Sequence, residues 1–175
     1  MSDRAIKILL ADDHTIVRQG LKLILSAHSD LDVVGEAANG REAVEMAQKL
    51  KPDIVLMDVA MPELNGIEAT RRMVEANSRL KVLVLSMHKE AVYVREILKA
   101  GARGYILKDA IDTELLNAVR SVAKGDGYIS PAVSGALTRR WRKYILRDRR
   151  RMGHPLLRKP DRWRSAAICG VPLRV

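Results

Sequence analysis

Residues 54–62 read Ile-Val-Leu-Met-Asp-Val-Ala-Met-Pro, and this stretch decides the fold. Four consecutive apolar residues before Asp58 are too short for an ordinary helix and match a strand that is buried on both faces. Such strands belong to parallel sheets with helices on either side. The stretch therefore predicts an α/β protein in which Asp58 lies at the carboxyl end of a central strand.

Similar runs recur along the chain. Strands are predicted at residues 5–11, 32–37, 54–58, 81–86 and 104–107. Helices are predicted at residues 16–27, 41–50, 67–75, 91–100 and 113–124, where apolar residues repeat at three- and four-residue spacing. This alternation is typical of a doubly wound, five-stranded parallel sheet, (βα)5. A flavodoxin-like strand order, 2-1-3-4-5, would bring the carboxyl ends of the strands to one edge.

Length and composition are consistent with one domain and an appendage. The 175 residues include 47% hydrophobic and 30% charged residues, which is typical of a globular protein. The single cysteine excludes an internal disulfide framework, and no apolar run is long enough for a membrane span. We therefore expect a cytoplasmic protein with a folded domain at 1–124, a linker at 125–140 and a tail at 141–175.

The net charge of +10 comes from the end of the chain. Residues 131–175 hold 13 Lys and Arg against 2 Asp and Glu, whereas the first 130 residues have a net charge of −1. Such a basic segment could bind nucleic acid through phosphate contacts. The candidate contact residues are Arg139, Arg140, Arg142 and Lys143. The alternative interpretation is a shifted reading frame near residue 140, because the segment lacks the periodicity of a complete helix-turn-helix module.

Polar residues follow the predicted strands at the edge where ligands bind in such sheets. Asp12 and Asp13 follow the first strand, Asp58 ends the third, Ser86 ends the fourth and Lys108 follows the fifth. Three crowded carboxylates need a cation to remain ionised, and carboxylate oxygens are ligands that Mg²⁺ prefers. A carboxylate can also accept a phosphoryl group whose charge is neutralised by nearby cations. The pattern therefore predicts a magnesium-dependent phosphoryl site.

Four motifs carry a resemblance to a known family. They are Leu-Leu-Ala-Asp-Asp-His at 9–14, Met-Asp-Val-Ala-Met-Pro at 57–62, Asn-Gly at 65–66 and Gly-Tyr-Ile-Leu-Lys-Asp at 104–109. In this order and spacing they resemble the receiver domains of bacterial two-component response regulators, and most closely the NarL/FixJ (LuxR-type) subfamily. The resemblance extends over residues 5–130 and ends near residue 140.

The resemblance implies a signalling switch whose chemistry is limited to self-phosphorylation and autodephosphorylation. Asp58 would accept a phosphoryl group from a sensor histidine kinase. Mg²⁺ would be bound by Asp12, Asp13, Asp58 and the backbone carbonyl of Ala60. A switch of this kind is not an enzyme that turns over a separate substrate.

The resemblance also assigns a switching mechanism. Ser86 and Lys108 would bind the phosphoryl group, and Tyr105 would turn inward when Ser86 moves towards it. The output face would be formed by the fourth helix, the fifth strand and the fifth helix. The resemblance also implies a phosphorylation-dependent homodimer and control of transcription by a DNA-binding domain. We do not find a complete helix-turn-helix domain in residues 141–175.

Two other functions compete with this interpretation. One is a nucleic-acid-binding protein that acts through its basic tail. The other is a Mg²⁺-dependent phosphatase with an Asp nucleophile, which is disfavoured because Ala60 places no general acid two residues after Asp58. His14 and His88 follow strands as ordinary loop residues, and no partner at ligand spacing supports a metal-binding or catalytic role for them.

Overall fold

A computed structural model describes residues 4–135 of the chain. The strands are β1 (Ile6–Ala11), β2 (Leu31–Ala37), β3 (Ile54–Asp58), β4 (Lys81–Ser86), β5 (Gly104–Leu107) and β6 (Tyr128–Ile129). The α-helices are α1 (Thr15–Ser26), α2 (Gly40–Leu50), α3 (Gly66–Ala76), α4 (Ala91–Lys99), α5 (Ile111–Ala123) and α6 (Pro131–Ser134). A single 3-10 turn, Lys108–Ala110, joins β5 to α5.

The strands form one parallel sheet in the order β2-β1-β3-β4-β5-β6. The predicted flavodoxin-like order is confirmed, but the predicted count of five strands is wrong. Tyr128 and Ile129 pair with Gly104 and Tyr105 of β5 and add a sixth strand. The sequence gives little sign of β6 because two residues are too few to show a periodic pattern.

Helices cover the sheet on both faces and bury two separate apolar cores. Leu21 and Leu25 of α1 and Leu115 and Val119 of α5 pack on one face with Ile8. The helices α2, α3 and α4 cover the other face, which includes Tyr105 and Leu107. Every residue of β3 and β5 is buried, as expected for strands between two helical layers.

Local signals fix the helix starts near the sheet edge. Asn39 accepts a hydrogen bond from the backbone N–H of Glu42 at 2.8 Å, and the Glu42 carboxylate accepts one from the N–H of Ala38. Asn39 is therefore the N-cap of α2, and Glu42 also provides an acceptor for the N–H of the residue before Asn39. Asn65 caps α3 in the same way through the N–H of Glu68 at 2.9 Å. The two caps fix the entries to α2 and α3.

The segment after α5 remains attached to the domain. Ser130 and Val133 are at most 1% exposed, although both fall within residues 125–140, which the sequence assigns to a linker. No helix within residues 4–135 is both long and apolar enough to cross a membrane. The tail at 141–175 and the candidate contacts Arg139, Arg140, Arg142 and Lys143 lie outside the described residues.

Candidate functional site

The carboxyl ends of β1, β3 and β5 bring two carboxylates and an ammonium group together. Lys108 Nζ donates to Asp12 Oδ2 at 2.7 Å and lies 3.0 Å from Asp58 Oδ1. Asp12 is 1% exposed and Asp58 is 3% exposed. These side chains come from positions up to 96 residues apart in sequence, and the parallel sheet places them at one edge.

Burial dominates the electrostatics of this group. It raises the pKa of the Asp58 carboxyl above its usual range, and the charge of Asp12 adds to the rise. The hydrogen bond and charge of Lys108, with the backbone N–H of Ala60, offset part of this effect. For Lys108, burial alone would lower the pKa, but the hydrogen bonds to Asp12 and Asp58 outweigh it and raise the pKa. The hydrogen bonds to Asp12 and Asp58 therefore favour the charged form of Lys108.

Asp13 and His14 extend the cluster towards solvent. Ligand atoms of Asp12, Asp13, His14 and Asp58 all lie within 4.8 Å of one another. His14 Nδ1 is 2.9 Å from Asp13 Oδ1 and 3.2 Å from Asp12 Oδ1. Three carboxylates in one cluster match the oxygen donors that a hard divalent cation prefers. The donor set therefore fits Mg²⁺.

The loop after β3 lies beside the acidic cluster. Ala60 lies two residues beyond Asp58, is exposed, and directs its N–H to the Asp58 carboxylate. Gly66 closes the loop by donating its N–H to Val59 O at 2.9 Å. An added Cβ at Gly66 would stand 1.9 Å from the backbone oxygen of Asp58, so only glycine permits this close approach. The loop conformation therefore requires a residue without a Cβ at position 66.

Ser86 and Tyr105 form a second group beside the acidic cluster. Ser86 Oγ accepts a hydrogen bond from the His88 N–H at 3.1 Å, and the Tyr105 hydroxyl donates to the His88 carbonyl oxygen. Tyr105 is fully buried. Burial raises the pKa of its hydroxyl, and a hydrogen bond with Ser86 offsets part of the rise. The structure thus places the Tyr105 ring inside the fold, next to the hydroxyl that ends β4.

Sequence reasoning missed two residues at this site. His14 contacts two cluster carboxylates, although its sequence position gave no ligand spacing. Arg18 of α1 donates from its guanidinium to the backbone oxygen of Asp12 at 2.6 Å and so supports the loop after β1. Its position one helical turn after His14 is the signal that could have suggested a return contact to this loop.

The comparisons with known proteins agree with this geometry. The sequence profile of the family described as the response regulator receiver domain matches residues 8–120. The transcriptional regulatory protein DegU of Brevibacillus brevis is 40% identical over 148 residues, which cover 85% of this chain and 63% of the relative. The response regulator GacA of Pseudomonas syringae is 42% identical over 132 residues, which cover 75% of this chain and 62% of the relative.

A solved structure supports the same relationship. The LuxR-family two-component response regulator from Aurantimonas superimposes with a TM-score of 0.73 at 33% identity. The match covers 75% of this chain and 94% of that chain. The present chain spans about six-tenths of the length of the curated relatives it matches.

Proposed function

We propose, from the premise that this chain belongs to the response regulator receiver family, that its domain is a Mg²⁺-dependent phosphoryl switch with Asp58 as the phosphoacceptor. The observation that carries the proposal is the Lys108 ammonium bridging the buried carboxylates of Asp12 and Asp58, at 2.7 and 3.0 Å. A buried carboxylate held beside a fixed cation is suited to receive a negatively charged group.

The transfer step needs little from the protein beyond position and charge. An oxygen of the Asp58 carboxylate forms a bond to phosphorus, while the bond from phosphorus to the donor breaks and the donor leaves with its electron pair. The donor is a phosphohistidine of a sensor kinase, or acetyl phosphate, which leaves as acetate. Lys108 neutralises charge on the phosphoryl oxygens, and the Ser86 hydroxyl donates a hydrogen bond to one of them.

The cation would be bound by Asp12, Asp13, Asp58 and the backbone carbonyl of Ala60. When bound, Mg²⁺ supplies positive charge that offsets repulsion between the incoming phosphoryl group and the carboxylates. The three side chains lie close enough to share one ion. Lys108 pairs with two of these carboxylates, Asp12 and Asp58.

The signal would leave the site through Ser86 and Tyr105. Movement of the Ser86 hydroxyl towards the phosphoryl group would break its contact with the His88 N–H and change the environment of the buried Tyr105 ring. Helix α4 packs on the same face of the sheet as Tyr105. The elements α4, β5 and α5 would form the output face. We propose that the consequence is altered homodimer association in the cytoplasm, under the control of a histidine kinase.

The role in transcription rests on relatives alone. Those relatives carry regulatory names, and this chain matches about six-tenths of their length. We propose that the receiver signals by protein association, and that the basic residues of the tail at 141–175 are the candidate DNA contacts within this sequence. A phosphatase is the less favoured alternative because Ala60 provides no side-chain acid near Asp58.

The deciding experiment is intact-mass measurement after incubation with acetyl phosphate and Mg²⁺. Wild type should gain one phosphoryl group, and Asp58→Ala or chelation of Mg²⁺ should abolish the gain. Asp109→Asn is the matched control, since Asp109 lies beside Lys108 in sequence but pairs with Lys89 at 2.9 Å, outside the acidic cluster. An adduct that persists in Asp58→Ala would disprove the assignment.

A further inference from the structure

The short strand β6 is extended by a side chain where its backbone pairing stops. The Tyr128 N–H donates to Arg103 O at 3.2 Å, and the Ser130 N–H donates to Tyr105 O at 2.9 Å. The next β5 amide on this side, Leu107 N–H, donates to the Ser130 hydroxyl at 3.1 Å. The hydroxyl therefore takes the place of the carbonyl that a longer strand would present.

The Ser130 hydroxyl does not cap α6, although its position would allow it to do so. The residue stands at the N-cap of α6, immediately before Pro131, where serine ordinarily accepts a hydrogen bond from the first turn. No side-chain cap hydrogen bond forms there. Ser130 is fully buried, and its hydroxyl points to Leu107 instead. The local helix signal is overridden by a contact with β5.

The same hydroxyl also connects β5 to α5. It donates to Glu114 Oε2 at 2.5 Å, and the Tyr128 hydroxyl donates to the same oxygen at 3.2 Å. Ser130 thus accepts from the end of β5 and donates to the first turn of α5, so its two partners lie on either side of the 3-10 turn that begins with Lys108. The two hydrogen bonds hold both ends of that turn.

This connection matters because of the residue that follows Leu107. The ammonium of Lys108 must reach two buried carboxylates. Lys108 directly follows Leu107, whose N–H is bound by Ser130. On the other side, Leu107 aligns with Ser86 of β4. Leu107 is 1% exposed. Loss of the Ser130 hydroxyl oxygen would therefore leave the buried Leu107 N–H without an acceptor and favour a shift of the chain.

We propose that Ser130 is a positioning residue for Lys108. Its hydroxyl links Leu107 to Glu114 by two hydrogen bonds across the turn between β5 and α5, and so fixes the position of the Lys108 backbone. The inference rests on the proposed phosphoryl transfer to Asp58 and extends it to a residue outside the acidic cluster. It also connects the segment after α5 to the site, since Ser130 is the N-cap of the last described helix.

The test compares Ser130→Ala with Tyr128→Phe in the full chain. Tyr128→Phe removes only the outer hydrogen bond to Glu114 and is the matched control. The rate constant for adduct formation with acetyl phosphate and Mg²⁺ is measured per folded molecule, with folding checked by circular dichroism. Because small misplacement of a catalytic group is costly, we expect Ser130→Ala to slow transfer by about threefold to tenfold and Tyr128→Phe to remain within about twofold.

A second pair of variants covers the case in which Ser130→Ala does not fold. Glu114→Ala removes the acceptor of the Ser130 hydroxyl from a half-buried helix position, and it should slow transfer by about twofold or more. Glu114→Gln retains an acceptor oxygen and should restore the rate. Equal rates in both variants would count against the proposal.

A spectroscopic readout separates this inference from the proposed function. The amide resonances of Leu107, Lys108 and Asp58, recorded without phosphodonor, should shift in Ser130→Ala and stay in place in Tyr128→Phe. If wild type forms no adduct, the proposed function fails and these resonances alone decide the inference. Ser130→Ala with reduced thermal stability, an unchanged transfer rate and unchanged Lys108 and Asp58 resonances would show a purely structural role and overturn it.

Discussion

Mg²⁺ should stabilise the domain against unfolding through its acidic cluster. Asp12, Asp13 and Asp58 carry three negative charges within reach of a single ion, and Lys108 supplies one positive charge. The group therefore has a formal charge of −2, which one Mg²⁺ would neutralise. An ion that binds the folded state alone, at about one hundred times its Kd, stabilises by about 2.7 kcal/mol. For a chain of this size, that corresponds to a rise in Tm of about 8 °C.

Removal of one carboxylate should reduce this effect by a calculable amount. Asp13 is the best choice because its side chain is 32% exposed, so Asp13→Asn leaves no buried charge newly unpaired. Loss of one anionic ligand should weaken binding at least tenfold, since unit charges about 4 Å apart interact by about 4 kcal/mol near a protein surface. At the same Mg²⁺ concentration, the stabilisation should then fall to about 1.4 kcal/mol and the rise in Tm to about 4 °C.

The assay is thermal unfolding followed by circular dichroism across a Mg²⁺ titration, with ionic strength held constant. Asp109→Asn is the control, because it removes a nearby carboxylate that pairs with Lys89 and lies outside the cluster. It should respond to Mg²⁺ as wild type does. If Mg²⁺ raises the Tm of Asp13→Asn as much as that of wild type, or leaves wild type unchanged, the assignment of the ion to this cluster is refuted.

Three further outcomes can be checked by equilibrium unfolding. Lys108→Met should destabilise the metal-free domain at pH 7 by about 3 kcal/mol, because two buried carboxylates lose their shared cation, and Mg²⁺ should recover part of the loss. Gly66→Ala should cost about 3 kcal/mol because its Cβ meets a backbone oxygen, whereas Gly20→Ala in α1, with no atom within 4 Å of the added Cβ, should gain about 0.5 kcal/mol. The hydrogen bond from Lys22 lowers the pKa of Glu36 below its ordinary value of 4.5, so its contribution is present above pH 4.5 and is lost as the pH falls through the lowered pKa. Lys22→Met should therefore cost no more than about 0.5 kcal/mol at pH 7, and the difference from wild type should disappear in acid.

The sequence predicted the sheet well because buried parallel strands leave a strong local pattern. The runs before Asp58 and Ser86 are almost wholly apolar, and the structure begins and ends β3 and β4 at the predicted residues. The site residues followed from the same reasoning, since a parallel sheet carries the residues after its strands to one edge. Asp12, Asp58 and Lys108 are in contact there.

What the sequence could not predict depends on contacts between distant segments. The hydroxyl of Ser130 would be assigned to a helix cap by its neighbours, and only the tertiary structure directs it to Leu107. His14 looked like a loop residue because its contact with Asp13 depends on the loop conformation. Arg18 reads as part of an amphipathic helix, and its bond to Asp12 O is visible only in three dimensions.

The position of β6 beside β5 has a practical consequence for any attempt to isolate the domain. All four residues of β5 are buried, and without β6 the backbone groups of Arg103, Tyr105 and Leu107 that now pair with residues 128–130 would face solvent. Unpaired, apolar outer strands are templates for aggregation. A chain cut after residue 124 should therefore self-associate in light-scattering measurements, whereas one cut after residue 135 should remain dispersed.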